Sequence, residues 1–224
     1  MQYATYGLVI LSLIISVAAS INVKASFKKW SRVRNSRGLT GAEAARQMLM
    51  QHGISNVAIE PIPGSLTDHY GPTSQTIRLS QDVYNSDSVA AVGVAMHEAG
   101  HAVQYAQDYA PVKLRHAIVK STNISSMVSY LLVVLGIVFS SYNLLTLGIV
   151  FFLAVVFFQL VTLPVEFNAS IRAVRTLENS MMLEAEERKG AAAVLRAAAL
   201  TYVAALVTSL LQLLRLLLIR GRRR

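Results

Sequence analysis

Residues 127–165 read MVSYLLVVLGIVFSSYNLLTLGIVFFLAVVFFQLVTLPV and contain no charged side chain. A membrane-spanning helix needs about 20 predominantly apolar residues, so this block is too long to be a single span. Its middle, residues 140–143, reads SSYN and is polar enough to form a turn. The block therefore predicts two membrane helices joined by a tight turn.

Two further apolar runs, residues 6–19 and residues 198–219, lie near the ends of the chain. Apolar residues make up 54% of the 224 residues and charged residues only 15%, which is unusual for a soluble domain. No Lys or Arg precedes the first run, whereas six follow it by residue 37. This charge order favours a membrane anchor over a cleaved signal peptide. The last run contains Arg215, and it either spans the membrane or lies in the interface.

The chain carries 21 Lys+Arg and 12 Asp+Glu, which gives a formal net charge of +9. Such an excess can indicate nucleic-acid binding, but here the basic residues flank apolar runs, as in membrane proteins. Fourteen of them lie close to the apolar runs in the loops 22–123 and 165–197, and four lie in the tail 220–224. We therefore expect a multi-pass protein of a bacterial or archaeal cell membrane, with both loops cytoplasmic and no nucleic-acid partner.

The loop 22–123 has the pattern of a globular α+β region. Thr40 followed by Glu43 is a capping box, which predicts a helix over residues 41–52. Residues 56–62 and 75–80 are expected to form short strands, because turn-forming Gly and Pro lie between them. Ser86 or Asp87 is positioned to cap a helix over about residues 88–107.

That last helix contains the sequence His97-Glu98-Ala99-Gly100-His101. The two histidines lie one helical turn apart on the same face, where both can bind one Zn²⁺. Glu98 can reach a water at the metal and act as general base. A helix with two incidental histidines is the alternative, but the apolar flanks would bury it, and unpaired buried imidazoles are costly.

A catalytic zinc site takes three protein ligands and leaves the fourth position to water. The chain has no cysteine, which excludes disulfides, thiolate ligands and a cysteine nucleophile, so the third ligand must be His, Asp or Glu. The other histidines are His52, His69 and His116. Glu166 is the stronger candidate, because the membrane hairpin would return it to the side of the HExxH helix. A carboxylate at the edge of the bilayer is costly unless it is paired or ligated, although an ordinary interfacial Glu is the alternative.

Three segments carry a family resemblance: DHY at residues 68–70, HEAGHAVQ at residues 97–104 and LPVEFNAS at residues 163–170. Together they resemble the membrane-bound neutral zinc metallopeptidases of the YugP type, over nearly the whole chain. The layout also resembles the HtpX and Ste24 peptidases, in which a membrane hairpin separates HExxH from the glutamate ligand. The resemblance implies that His97, His101 and Glu166 hold Zn²⁺ and that Glu98 is the catalytic acid/base.

The sequence departs from that family pattern at two positions. The family segment Asp-His-Tyr-Asp-Pro has Gly71 in place of its second Asp. Many relatives carry an Asp two residues after the glutamate ligand, where this chain has Asn168. An amide there can still accept a hydrogen bond from a ligand histidine, but it would polarise the imidazole less than a carboxylate does.

Peptide hydrolysis produces an oxyanion, so a hydrogen-bond donor near the zinc is expected. His69, Tyr70 and Arg172 are candidates, and the first two could lie on an edge strand that pairs with an extended substrate. The simpler interpretation, which we favour, is that His69 and Tyr70 form a packed turn and that Arg172 is a structural charge.

The sequence thus predicts a mainly α membrane protein with about four transmembrane helices and a zincin-like α+β catalytic region containing a small β-hairpin or sheet. The expected segments are transmembrane helix 1 (1–22), the catalytic region with the HExxH helix (23–123), the transmembrane hairpin (124–165), the helix with the third zinc ligand (166–197), and membrane helix 4 with a basic tail (198–224).

The function expected from these features is zinc-dependent endopeptidase activity, with protein or peptide substrates and the lipid bilayer as partners. The alternative is a non-catalytic, zinc-stabilised membrane scaffold or adaptor. The intact Glu98 counts against that alternative, because a structural metal site needs no base.

Overall fold

Residues 2–221, which the computed structural model describes, form seven α-helices and three β-strands. The helices are α1 (Gln2–Trp30), α2 (Gly41–Gln51), α3 (Gln81–Tyr84), α4 (Val89–Ala106), α5 (Ala110–Val138), α6 (Tyr142–Ser180) and α7 (Ala185–Gly221). The strands are β1 (Ala58–Ile62), β2 (His69–Gly71) and β3 (Thr76–Ser80). Residues 222–224, which contain most of the predicted basic tail, lie outside the described residues.

Four helices are long and apolar enough to cross a membrane. They are α1 over Thr5–Trp30, and α5, α6 and α7 over their full lengths of 29, 39 and 37 residues. All exceed the roughly 20 residues that a span requires. The predicted mainly helical membrane protein with about four spanning helices and a small sheet is therefore confirmed.

Three helix boundaries differ from the segments expected from hydropathy. Helix α5 begins at Ala110 rather than near residue 124, α6 continues through Pro164 without a break, and α7 begins at Ala185 rather than near residue 198. The reason is that hydropathy shows where a run of apolar residues ends, and not where the helix itself ends. A helix continues past that point wherever its backbone hydrogen bonds and packing allow it.

The turn predicted at residues 140–143 joins α5 to α6. Ser140 adopts a left-handed conformation with φ of 50°, and the Ser141 hydroxyl accepts a hydrogen bond from the Leu144 N–H at 3.3 Å. Farther along the hairpin, the Ser129 hydroxyl donates to the carbonyl of Gly148 at 2.8 Å. This bond satisfies a polar group on an apolar helix, as buried polar groups require.

Ile21–Val112 together with Val165–Leu200 form one compact unit, and the remaining described residues form a second one. In the first unit, the expected capping box is present at the start of α2, where the side chains of Thr40 and Glu43 bond each other's backbone N–H. The sheet has the order β1-β3-β2, with β1 parallel and β2 antiparallel to β3. It is thus a mixed sheet whose third strand, β2, is only three residues long.

Helix α4 lies in the core of this unit. Most of its residues are small or apolar and buried, including Ala95, Met96, Ala99 and Val103. They pack with residues from α2, β3, α6 and α7 in a single apolar cluster. Because α4 is held on several sides, the polar side chains that it carries have a fixed place in the protein interior.

Candidate metal centre

The N-cap of helix α4 lies one or two residues after the position that the sequence predicted. The N-cap is Ser88, whose hydroxyl accepts a hydrogen bond from the Ala91 N–H at 3.1 Å. Ser86 instead donates its hydroxyl to Ser88 at 3.0 Å, and Asp87 pairs with Arg34 at 2.6 Å. The prediction that Ser86 or Asp87 caps this helix was therefore wrong, because those side chains are used by these other contacts.

His97 and His101 lie on one face of α4, as their spacing predicts. Their ring centroids are 4.7 Å apart and the ring planes are almost perpendicular, at 82°. The His97 side chain is 12% exposed and that of His101 is 10% exposed. Both imidazoles are therefore mostly enclosed by protein.

Helix α6 brings Glu166 to the same place. The Glu166 side chain is 2% exposed, and its Oε2 atom lies 3.3 Å from His97 Nε2 and 3.5 Å from His101 Nε2. Within residues 2–221, ligand atoms of these three side chains lie within 4.8 Å of one another. The structure thus brings together the three residues that the sequence proposed as metal ligands.

The spacing of these atoms suits zinc. Two ligand atoms bound at about 2.0–2.1 Å to one tetrahedral Zn²⁺ are roughly 3.3 Å apart, close to the separations of Glu166 Oε2 from the two Nε2 atoms. Imidazole nitrogen and carboxylate oxygen are both common zinc ligands. The group could therefore hold a metal ion with little rearrangement.

Two further carboxylates, Glu98 next to His97 in the chain and Asp68, are close enough to interact electrostatically with each other. Glu98 is only 8% exposed, and it accepts no hydrogen bond from the residues that the structure describes. Asp68 accepts hydrogen bonds from the N–H and hydroxyl of Ser80 at 2.7 and 3.1 Å. Burial raises the pKa of the Asp68 carboxyl, the bonds from Ser80 oppose that shift, and the charge of Glu98 adds to it. The charges of Asp68 and Glu98 therefore repel each other, and a cation nearby would reduce that repulsion.

The sequence matches the family described as "Putative neutral zinc metallopeptidase" over residues 5–221. The chain belongs to this family. A protein of Bacillus subtilis (strain 168), described as "Putative membrane protease YugP", is 48% identical over 212 residues. That match covers 95% of this chain and 94% of the relative. No solved structure matches the chain significantly. The family resemblance seen in the sequence is thus confirmed, and membership in a zinc metallopeptidase family agrees with the convergence of His97, His101 and Glu166.

Asn168 and Arg172 are placed beside the centre rather than in it. The Arg172 Nε–H donates to Asn168 Oδ1 at 2.7 Å, and its Nη1–H donates to Gln107 Oε1 at 2.5 Å. The guanidinium also lies 5.9 Å from the ring centroid of Tyr109. Among residues 2–221, neither side chain has a hydrogen bond to His97, His101 or Glu166. Of the roles considered from sequence, this arrangement favours a structural charge for Arg172.

His69 and Tyr70 lie on β2, at the edge of the sheet. Nδ1 of the exposed His69 lies 2.9 Å from the carbonyl oxygen of Thr67. The Tyr70 ring packs 5.6 Å from that of Tyr105, and burial raises the pKa of the Tyr70 phenol. No hydrogen bond among residues 2–221 joins His69 or Tyr70 to the three candidate ligands.

The other histidines considered as third ligands are not part of the cluster. His52 ends α2 with Nδ1 2.9 Å from the Met48 carbonyl oxygen, and His116 lies on α5. The three-residue group of candidate ligands contains neither of them, nor His69. Glu166 is the side chain that completes the group.

Two polar contacts of the candidate ligands were not foreseen from the sequence. His101 Nδ1 lies 3.0 Å from Oε1 of the fully buried Gln104, and His97 Nδ1 lies 3.1 Å from the hydroxyl oxygen of Ser170. A sequence signal exists for both. Gln104 lies three residues after His101, and Ser170 lies four residues after Glu166, so each shares a helix face with a ligand.

Gly100 sets the distance between α4 and α6 at the centre. A Cβ atom at this position would lie 2.7 Å from the backbone oxygen of Ala169, three residues after Glu166. Only a residue without a side chain allows this approach.

We therefore expect Gly100→Ala to separate the two helices. The change should lower the free energy of unfolding by about 1–3 kcal/mol and reduce the zinc content of the purified protein. Thermal unfolding and elemental analysis measure these effects. Gly7→Ala is the matched control, because nothing lies within 4 Å of a Cβ atom there. Wild-type stability and zinc content in Gly100→Ala would contradict this account of the helix contact.

Proposed function

We propose that this chain is an integral membrane zinc endopeptidase. One observation carries the proposal: two imidazole nitrogens and a buried carboxylate oxygen converge within 4.8 Å, next to a carboxylate with no hydrogen-bond partner among the described residues. Membership in the zinc metallopeptidase family supports it. His97, His101 and Glu166 would hold the zinc, and Glu98 would be the catalytic acid/base.

Zinc, when bound, would supply Lewis acidity that polarises the scissile carbonyl and makes a water molecule more acidic. Glu98 follows His97 on α4 and would accept the proton of the attacking water. It would then pass the proton to the amine that leaves. The position of Glu98 favours this role, because its carboxylate directly follows the candidate ligand His97 and accepts no hydrogen bond among the described residues.

The substrate would be a protein or peptide in an extended conformation. Strand β2 supports this, because β3 is the only strand within residues 2–221 that pairs with it, and it does so along one of the two edges. The free edge offers backbone groups to which an extended peptide can add as a further strand. Candidate substrates are misfolded membrane proteins, segments next to the membrane and small peptides.

Glu98→Gln tests the mechanism. We expect the variant to keep its zinc and to lose at least about 10²-fold in peptide cleavage, because an amide cannot accept the water proton. Cleavage of a fluorescent peptide library by the purified protein, with zinc content measured in parallel, checks both statements. Glu178→Gln, an exposed Glu on α6, is the control and should cleave like the wild type.

A wild-type rate in Glu98→Gln would refute the assignment of the base. Chelation separates the enzyme from the scaffold alternative. Cleavage that is lost with a chelator and restored by Zn²⁺ supports the enzyme. A purified protein that holds zinc but cleaves no peptide or membrane protein would favour the scaffold.

The assignment of the third ligand is tested by Glu166→Ala. Removing the carboxylate takes away one of three ligands, so zinc should be lost on dialysis while the wild type retains about one zinc per chain. Glu178→Ala, on the same helix, should retain zinc. Full zinc occupancy in Glu166→Ala, measured by elemental analysis, would exclude Glu166 as a ligand.

We also propose that the catalytic region faces the cytoplasm, because fourteen basic residues near the spans lie in its two segments. The chain has no cysteine, so single cysteines can report the orientation without interference. We expect Ser140→Cys, in the exposed turn between α5 and α6, to react with a membrane-impermeant thiol reagent in intact cells. Ser65→Cys, in the exposed segment before β2, should react only after lysis, and the reverse result would invert the orientation.

A further inference from the structure

A chain of polar side chains leads from the half-buried Arg172 and Asn168 to the buried Gln104 and His101. It runs from the Arg172 guanidinium to Asn168 Oδ1 at 2.7 Å, from Gln104 Nε2 to the same oxygen at 3.0 Å, and from Gln104 Oε1 to His101 Nδ1 at 3.0 Å. Gln104 also donates to the carbonyl of Val165 at 2.8 Å. The direction of every hydrogen bond in this chain follows from its two ends.

The first end is Arg172, which can only donate hydrogen bonds. The atom of Asn168 that faces it must therefore be the oxygen. That oxygen has two lone pairs, and it accepts from Arg172 and from Gln104. The orientation of the Asn168 amide is thus determined by a permanent charge.

The second end is the carbonyl oxygen of Val165, a backbone group that can only accept. Gln104 has two neighbours that both require a donor, the Val165 oxygen and Asn168 Oδ1. Its NH₂ group must face them, because a flipped amide would place Oε1 against two oxygens. Gln104 is fully buried, so water cannot compensate for such a flip.

With Gln104 Nε2 facing Val165 and Asn168, Gln104 Oε1 faces His101 Nδ1. An amide oxygen accepts, so His101 Nδ1 must carry the proton, and the lone pair of the neutral ring lies on Nε2. Nε2 is the atom directed at Glu166, at 3.5 Å. We propose that Gln104 is a positioning residue that holds His101 in the tautomer needed to ligate a metal, and that Asn168 and Arg172 hold Gln104. This inference rests on the metal site proposed above.

His97 provides an internal comparison. Its Nδ1 lies 3.1 Å from the Ser170 hydroxyl, which can either donate or accept. That contact does not select a tautomer. Of the two Nδ1 contacts, only that of His101 with Gln104 therefore fixes the position of a proton.

The inference is tested first on the metal-free protein, by the ¹⁵N chemical shifts of His101 at a pH at which the imidazole is neutral. Wild type should show the Nδ1–H form. Gln104→Met keeps the volume but removes both hydrogen-bonding functions, so His101 should become a mixture of tautomers. Zinc affinity, measured by competition with a chelator, should fall about 10- to 100-fold. Gln47→Met, on α2, is the matched control and should change neither quantity.

Two variants of Asn168 separate hydrogen-bond polarity from packing. Asn168→Asp keeps an oxygen that accepts from Arg172 and Gln104, so tautomer and zinc affinity should stay close to those of the wild type. Asn168→Leu removes that acceptor and should weaken zinc binding in the same direction as Gln104→Met. If Gln104→Met does not fold, Asn168→Leu carries the test, with a smaller change of tautomer and zinc affinity in the same direction, because the Val165 carbonyl still accepts from Gln104.

A wild-type protein that shows the Nε2–H form of His101 would overturn the inference. So would a Gln104→Met variant with an unchanged tautomer and unchanged zinc affinity. If the proposed metal site is wrong but the inference about Gln104 is right, the measurements would differ from both of these results. In that case the wild type binds no zinc, while the metal-free protein still shows His101 protonated on Nδ1.

Discussion

The burial of the Glu166 carboxylate constrains the unit formed by Ile21–Val112 and Val165–Leu200 more than any other interaction. A charged carboxylate that is 2% exposed is costly unless opposite charge or strong hydrogen bonds surround it. Here two imidazole nitrogens face one of its oxygens, and the three side chains together could hold a metal ion. Helices α4 and α6 must therefore stay in register and in close contact, since a shift of either would move the carboxylate away from these two imidazoles.

Small residues allow that close contact. Gly100 faces the Ala169 backbone, and on another side of α4 a Cβ at Gly93 would touch Ala191 at 3.4 Å. Between these positions α4 carries Ala95 and Ala99, both fully buried. A helix with larger side chains could be buried equally well, but it could not bring its polar face so near to a neighbouring backbone. The polar residues of the centre therefore depend on the small apolar residues around them, which allow the helices to pack closely.

Much of the fold could be predicted from local patterns. The capped helix α2, strands β1 and β3 and the helix with HExxH follow from capping residues and periodicity, to within a few residues at each end. Hydropathy predicted the membrane hairpin and its turn, but not the outer ends of its two helices. Strand β2 was expected only as a possible edge strand, because three residues give too short a pattern. The long extension of α6 beyond Pro164 was not predicted, since a Pro within a helical pattern usually ends it.

The sequence by itself determined the candidate ligands. The spacing of His97 and His101 places them on one helix face. The absence of cysteine, together with the apolar hairpin, predicted Glu166 as the third ligand. Only the tertiary structure decided which polar groups support these ligands. Gln104 and Ser170 gain partners from segments far away in the chain, at Val165 and His97. The physical reason is that helix periodicity fixes direction within one element, whereas hydrogen-bond partners across elements depend on how closely the backbones approach.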